Sequence, residues 1–174
     1  MALPNGVETL PNGLVASGLP EPKGLLHVSS VLDIGAGLRP MPWFKPERHI
    51  CVEPHGPYAD RLEAAGYEVW RLTAPVALKL AAAKLPVDAV YLIDVIEHMT
   101  KEEGLEVLRL AHALEPKQIV VFTPKGFLPQ EGDAWGLDGG YWQRHRSGWT
   151  PADFPGWAIE EYMGMQFFAT WTRP

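Results

Sequence analysis

Cysteine is almost absent from this 174-residue chain, in which Cys51 is the single example. A lone cysteine excludes an internal disulfide framework and a metal cluster held by several cysteines. Cys51 stands beside Val52 in a short apolar run, which is the setting of a buried packing residue rather than of a nucleophile. The fold must therefore depend on an ordinary hydrophobic core.

Long apolar runs and an excess of basic residues are also missing. No stretch approaches the ~20 apolar residues of a membrane span, and the start of the chain lacks the basic and then apolar pattern of a signal peptide. The formal net charge of −6 disfavours a nucleic-acid partner, because such ligands usually require a basic surface. We expect a cytoplasmic protein with no membrane partner, and the sequence leaves its oligomeric state open.

The ten residues 31–40, VLDIGAGLRP, are the most informative segment that is present. Apolar residues around Asp33 predict a buried strand, and Gly35 and Gly37 predict a tight turn directly after it. Glycine permits a positive φ and lets a ligand approach the backbone with no Cβ in the way. The segment therefore predicts a strand whose end can receive a ligand.

A second apolar strand, at 49–52, ends in Glu53. An acidic side chain at such a strand end can accept hydrogen bonds from both hydroxyls of a ribose. A dinucleotide site would have a third glycine where this chain has Pro40, and a proline removes a backbone donor that a pyrophosphate needs. Asp33 suits a ligand that carries an amine and a sulfonium. The pattern favours S-adenosylmethionine over a nicotinamide cofactor.

With these motifs the chain resembles the class I S-adenosylmethionine-dependent methyltransferases over roughly residues 28–172. VLDIGAG is similar to the first motif of the family, with Arg39 at the position of a third glycine, and CVEPH is similar to the second motif, which carries Glu53. VDAVYLIDVIEHM, residues 87–99, is similar to the fourth motif of small-molecule members. VVFTPKGF and HRSGWTPADF are similar to segments that follow the fifth strand of that group.

The elements predicted along the chain form an α/β pattern. Strands and helices alternate from the second predicted strand onward, which indicates a parallel sheet with right-handed crossovers. Two further strands, at 158–162 and 166–171, predict a C-terminal hairpin. The resemblance implies a doubly wound, mostly parallel seven-stranded sheet with an antiparallel C-terminal strand, the Rossmann-like methyltransferase fold. The helices expected from periodicity, capping and proline signals are 58–65, 74–84 and 100–115.

We expect one methyltransferase domain over residues 30–174, preceded by a proline- and glycine-rich arm at 1–29. Leu-Pro-Asn-Gly occurs twice in the arm, at Leu3 and Leu10, and predicts two turns. The arm is either loosely attached or lies across the mouth of the substrate site. A lid-like insertion is expected at 124–150, because 27 residues are too many for a plain connection and include Gly132, Gly136, Gly139 and Gly140.

Polar residues near the predicted strand ends are the candidate cofactor site, because ligands of open α/β sheets bind outside the carboxyl ends of the strands. The resemblance implies that Asp33 holds the ammonium of the methionine moiety directly or through water, that Glu53 holds the ribose, and that Asp94 borders the methionine and the transferred methyl group. The residues expected to bind the cofactor are Asp33, Gly35, Ala36, Gly37, Glu53, Pro54, Thr73, Ala74, Asp94 and Val95.

Glu97 and His98 follow the fourth predicted strand, where an acceptor would approach the methyl group. Alignment supplies most of the rate of an in-line methyl transfer, and a base is needed only if the acceptor must lose a proton. His98 could be that base, and a structural role in capping or loop orientation is equally consistent. The segment 94–98 is also similar to the metal-binding segment of small-RNA 2′-O-methyltransferases. Only the distant His145 could add a ligand, so no metal is expected.

The segment 124–150 combines aromatic side chains with arginines. Aromatic rings could form the wall of a site for an apolar or planar substrate, and arginines could hold an anionic group. The alternative is a secondary core beneath a long loop. The residues expected to contact the substrate are Glu97, Trp135, Tyr141, Trp142, Arg144, His145 and Arg146.

These observations predict S-adenosylmethionine-dependent methyl transfer to an oxygen or nitrogen atom of a small molecule. One alternative is a nucleic-acid or protein methyltransferase, which Arg144 and Arg146 support and the net charge opposes. Another is a non-catalytic module that binds an adenosine cofactor, which the missing third glycine permits. A nicotinamide oxidoreductase comes last because of Pro40.

Overall fold

A computed structural model describes residues 8–174 of the chain and contains one seven-stranded sheet in the order β3-β2-β1-β4-β5-β7-β6. Strands β1 to β5 pair in parallel, and β7 runs antiparallel to both β5 and β6. The mostly parallel sheet with an antiparallel C-terminal strand is therefore confirmed. The strands are β1 Ser30–Ile34, β2 Arg48–Val52, β3 Glu68–Trp70, β4 Ala89–Ile93, β5 Gln118–Pro124, β6 Ala158–Tyr162 and β7 Gln166–Thr172.

Helices connect the parallel strands from β2 onward. Thr100 and Glu103 form the capping box that the sequence predicts at the start of the third helix. Thr73 precedes the second helix, but its side chain makes no capping hydrogen bond. In residues 8–174 no helix is long and apolar enough to cross a membrane. The α-helices are α1 Gly56–Ala64, α2 Ala74–Lys84, α3 Lys101–Ala113 and α4 Gly140–Gln143, and two 3-10 turns lie at Ile96–His98 and Pro151–Asp153.

One face of the sheet is covered by α2 and α3. Alternate strand residues such as Leu32, Ile50, Val90 and Val121 point to this face and are almost fully buried, as the period of two in a strand requires. The two helices present small and aliphatic residues to them, so this side is the larger part of the core.

The opposite face is covered by α1 and by segments without helical structure. Leu19, Leu25 and Val28 of the arm pack there, together with Met41 and Trp43 from the connection between β1 and β2. That connection contains Pro40 and Pro42, which oppose the helix that could have formed between these two strands. The strand residues that these segments cover are Val31, Ala89, Tyr91, Val120, Phe122 and Phe168.

The described part of the arm packs against the domain. Leu14 and Val15 are buried beside α1, and Val15 N donates a hydrogen bond to Leu38 O at 2.8 Å. The second Leu-Pro-Asn-Gly forms a turn in which Gly13 has a φ of +81°, a left-handed conformation that favours glycine. The first repeat, at Leu3, lies outside the residues that the structure describes.

Replacing Trp43 with alanine should lower the free energy of unfolding by about 2–4 kcal/mol. Its half-buried indole packs edge-on against Tyr91 and Phe168 and donates a hydrogen bond to Leu19 O. Urea denaturation measures the change. Leu105→Ala on α3 is the control, because this leucine is 50% exposed and should contribute less than about 0.5 kcal/mol. Equal free energies of unfolding for the Trp43 variant and the parent chain would show that the packing of Trp43 against the sheet does not stabilise the fold.

Candidate functional site

A cavity of about 700 Å³ lies at the carboxyl ends of β1, β2, β4 and β5. Strand order reverses between β1 and β4, and such a reversal is where open α/β sheets bind ligands. The volume falls within the usual range for small-molecule sites. The arm contributes Ser17 and Leu19 to the lining, so its described part reaches the site.

All of the residues that the sequence assigned to the cofactor line this cavity except Asp33. Asp33 shares a face of β1 with Val31 and is almost fully buried. Its Oδ2 atom accepts a hydrogen bond from Met41 N at 2.7 Å and lies 2.9 Å from His49 Nε2. Asp33 therefore helps to fix the loop after β1, and it is absent from the lining of the cavity.

Glu53 lies at the end of β2 and binds the glycine turn. Its Oε2 accepts a hydrogen bond from Gly37 N at 2.9 Å, and its Oε1 accepts one from His55 N at 2.8 Å. Burial raises the pKa of Glu53, and these two backbone donors act in the opposite direction. A carboxylate has about four lone-pair positions, so Glu53 keeps the capacity to accept hydrogen bonds from two ribose hydroxyls.

Two glycines of this turn allow side chains from neighbouring segments to pack directly against its backbone. Gly35 and Gly37 have φ values of +64° and +55°. A Cβ at Gly35 would lie 1.9 Å from Val95 Cγ2, and a Cβ at Gly37 would lie 2.5 Å from the Trp135 ring. A side chain at either position would therefore displace a wall of the cavity.

Arg39 and Asp94 form an ion pair at the middle of the cavity, in which Arg39 Nη2 lies 2.6 Å from Asp94 Oδ2. Asp94 follows β4 and has a φ of +52°, a conformation that few residues other than glycine adopt. Burial raises the pKa of the Asp94 carboxyl, and the Arg39 guanidinium opposes this change.

Glu97, His98 and His145 come together at the β5 side of the cavity, and the rings of the two histidines are 4.9 Å apart. Thr123 donates a hydrogen bond to Glu97 Oε2 at 3.0 Å, but burial raises the pKa of Glu97 to about 8. Burial and the neighbouring His145 lower the pKa of His98 to about 4, so its imidazole is neutral near pH 7.

The Nδ1 atoms of the two histidine rings have different surroundings. His98 Nδ1 is buried and has no hydrogen-bond partner among residues 8–174. His145 Nδ1 lies 2.6 Å from Leu128 O, and a carbonyl oxygen can only accept, so the Nδ1 atom carries the proton.

One potential ligand atom from each of Glu97, His98 and His145 lies within 4.8 Å of the other two. A carboxylate and two imidazoles are side chains that bind divalent cations, so this arrangement could hold one. The expectation of no metal assumed that His145 was distant. Its loop is instead held against Glu97, whose carbonyl oxygen accepts hydrogen bonds from Arg146 N at 2.8 Å and Ser147 N at 3.2 Å.

The residues assigned to the substrate also line the cavity, except for Arg144, which is exposed beyond the end of α4. Arg146 reaches the cavity, but it also donates hydrogen bonds to His98 O at 2.6 Å and Tyr141 O at 2.8 Å. Its guanidinium is therefore partly used to hold the loop. The substrate-assigned residues in the lining are Glu97, Trp135, Tyr141, Trp142, His145 and Arg146.

Segment 124–150 is part wall and part core. Trp149 is fully buried against Gly104, with Lys101 Nζ 3.8 Å from the centre of its ring, so this tryptophan belongs to the core. Trp135 and Trp142 are half-buried and line the cavity. The core interpretation therefore applies to Trp149, and contact of Trp135 and Trp142 with a substrate stays a prediction.

Tyr58 of α1 is a cavity residue that the sequence predicts only as part of the helix 58–65. Its hydroxyl donates to Asp133 Oδ1 at 2.6 Å and accepts from Gln143 Nε2 at 2.8 Å. His55 adds a hydrogen bond from its Nε2 to Leu137 O at 2.7 Å. Nothing in the spacing of an amphipathic helix could have indicated these contacts, because their partners lie in an irregular segment.

Comparison with known proteins indicates the fold. No family model matches the chain, and no curated protein matches its sequence. An S-adenosylmethionine-dependent methyltransferase from Archaeoglobus fulgidus has a similar structure, with a TM-score of 0.57, 16% identity, and coverage of 82% of this chain and 85% of that chain. A magnesium protoporphyrin IX methyltransferase from Synechocystis PCC 6803, with bound cofactor, has a TM-score of 0.50, 12% identity, and coverage of 83% and 70%.

A third similar structure has a different name. It is described as a putative zinc-dependent alcohol dehydrogenase from Rhodobacter sphaeroides, with a TM-score of 0.60, 11% identity, and coverage of 87% of this chain and 86% of that chain. Identities this low show the fold alone, and the class I methyltransferase fold implied by the motifs is confirmed. The reaction must be inferred from the site, because one fold can host several activities.

Replacing Tyr58 with phenylalanine should loosen the loop that carries the cavity wall. The change removes the hydroxyl that joins Asp133 to Gln143 and leaves the buried Gln143 amide without one acceptor, at a cost of about 1–3 kcal/mol. Hydrogen exchange should become faster at residues 130–143 and stay unchanged in β1 and β4. Tyr67→Phe is the control, because this residue lies outside the cavity. Unchanged exchange in the loop would contradict the anchoring role.

Proposed function

We propose that this chain transfers a methyl group from S-adenosylmethionine to an oxygen or nitrogen atom of a small-molecule acceptor. The observation that carries the proposal is the order of groups along one cavity. Glu53 lies at the end of β2, the glycine turn follows β1, Asp94 follows β4, and Glu97 and His98 come next. This order matches a ligand that carries a reactive centre next to the ribose of a nucleoside.

The residues present fit the cofactor. Glu53 would accept hydrogen bonds from the ribose hydroxyls, and Pro54, Thr73 and Ala74 would lie at the adenine edge. Apolar groups such as Ile34 and Val95 exclude water from the space between them. When bound, S-adenosylmethionine supplies a methyl group on a sulfonium centre. The protein then has to align an acceptor with that group.

The acceptor would enter on the β5 side, where Glu97, His98 and His145 lie. A neutral His98 can take a proton from a hydroxyl, phenol or amine as that group reacts. Trp135 and Trp142 can form a wall against a planar or apolar acceptor.

A small-molecule acceptor is favoured over a nucleic acid by the charges near the cavity. Arg146 is engaged with backbone carbonyls, and Arg144 lies outside the lining. The formal net charge of −6 opposes a polyanionic substrate, whose binding depends on neutralising phosphates.

Calorimetry tests the choice of cofactor. S-adenosylmethionine and S-adenosylhomocysteine should both bind. NADH should bind much more weakly, because Pro40 in the loop after β1 has no backbone N–H to donate to a pyrophosphate. Comparable or tighter binding of NADH would overturn the proposal.

Replacing Glu53 with glutamine should weaken binding of S-adenosylhomocysteine by roughly 10- to 100-fold, since hydrogen bonds to a charged group contribute about 1.5–3 kcal/mol each. Glu68→Gln is the matched control, because Glu68 pairs with Arg48 on the surface and lies outside the cavity. Equal affinities of the two variants would contradict the role of Glu53.

The role of His98 can be tested by turnover. A panel of phenols, hydroxy acids and amines is incubated with the chain and methyl-labelled S-adenosylmethionine to find an acceptor. With that acceptor, His98→Ala should lower turnover by roughly 10²- to 10⁴-fold and leave cofactor affinity nearly unchanged. His112→Ala is the control, because His112 packs on Trp171 away from the cavity. Near-normal turnover of the His98 variant would show that alignment alone suffices.

A further inference from the structure

We infer that Arg39 and Asp94 form a subsite for the amino-acid end of the cofactor, with Arg39 binding its carboxylate and Asp94 its ammonium. The inference rests on the proposed function. It assigns to this pair the role in binding the methionine moiety that the sequence analysis assigned to Asp33. Asp33 is buried outside the lining, and its Oδ2 atom contacts Met41 N and His49 Nε2. Another group must therefore receive the charges of the methionine moiety.

The position of the pair is set by the order of the strands. The neighbours β2, β1 and β4 contribute Glu53, the loop that holds Arg39, and Asp94, in that order. The pair therefore lies between the residue expected at the ribose and the acceptor side at Glu97. The sulfur of the cofactor carries three substituents, which are the ribose, the transferred methyl group and the amino-acid chain. The amino-acid end therefore starts next to both the ribose and the acceptor, where this pair lies.

The charges of the pair are complementary to those of an amino acid. A free amino-acid end carries an ammonium and a carboxylate a few ångströms apart, and Asp94 Oδ2 and Arg39 Nη2 lie 2.6 Å apart on the wall of the cavity. A guanidinium has five N–H donors in a planar fork that can bind a carboxylate with two hydrogen bonds. Arg39 can thus keep its contact with Asp94 and bind the ligand as well.

Two further observations indicate a ligand role for this pair. Asp94 holds its φ of +52° in the wall of the cavity, and such conformations cluster at ligand-binding positions. The Arg39 guanidinium carbon lies 5.9 Å from the centre of the Trp135 ring, a contact that orients the fork. Both side chains also keep some exposure to the cavity, 33% for Arg39 and 22% for Asp94, so a ligand can reach them.

The consequence is selectivity for a cofactor that carries a carboxylate. S-adenosylmethionine and its decarboxylated form differ only in that group, and both contain the ammonium. Methylthioadenosine lacks the amino-acid end altogether. The three compounds therefore probe the carboxylate, the ammonium and the nucleoside separately.

The experiment measures dissociation constants of the three compounds by calorimetry at physiological ionic strength, where long-range charge effects are screened. The parent chain should bind S-adenosylmethionine roughly 10- to 100-fold more tightly than the decarboxylated form. Arg39→Ala should reduce this ratio to near one, and Arg39→Lys should keep part of it. Arg109→Ala, which removes an exposed arginine paired with Glu106, should leave the ratio unchanged.

Asp94→Asn should weaken the binding of S-adenosylmethionine and of its decarboxylated form to a similar degree and leave the binding of methylthioadenosine unchanged. Ratios within one variant do not depend on how much of it is folded, and melting curves verify that each variant is native. A full carboxylate preference in Arg39→Ala would overturn the inference and leave the pair a structural one. If the parent chain binds none of the three compounds, the proposed function itself fails and this inference fails with it.

Discussion

Two buried carboxylates hold the loop after β1, and the rest of the site depends on them. Asp33 accepts a hydrogen bond from Met41 N, and Glu53 accepts one from Gly37 N. The loop contains Pro40 and Pro42 and forms no helix, so its backbone donors need acceptors from elsewhere. Because Glu53 both fastens the turn and lines the cavity, the same interaction builds the floor of the site and supplies the group proposed for the ribose.

The absence of a helix in this loop also explains the use of the N-terminal arm. A parallel sheet must be covered on both faces, and α2 and α3 cover only one of them. On the other face, Leu19 and Trp43 take the place that a crossover helix could have filled. Since Ser17 and Leu19 also line the cavity, the segment that completes the core reaches the site as well.

The side of the cavity that holds Glu97, His98 and His145 is assembled from distant parts of the chain. The carbonyl oxygen of Glu97 accepts hydrogen bonds from Arg146 N and Ser147 N, which brings His145 next to His98. On the other side, Tyr58 fastens the same segment to α1 through Asp133. The segment that carries Trp135 and Trp142 is therefore fastened to α1 at one point and to Glu97 at another.

The sequence by itself determined the strands, the glycine turn, the acidic end of β2 and the capping box of α3, because these follow from local periodicity and local hydrogen bonding. Only the tertiary structure decided that Asp33 faces the loop and not the cavity, that Arg144 is exposed, and that His145 meets His98. Periodicity shows which residues share a face of a strand, but not which of the two faces a loop will cover. The fold of an irregular 27-residue segment likewise depends on contacts that no periodic pattern encodes. For Arg39, both levels contributed. The sequence showed an arginine at the position of a glycine, and the tertiary structure placed that arginine beside Asp94.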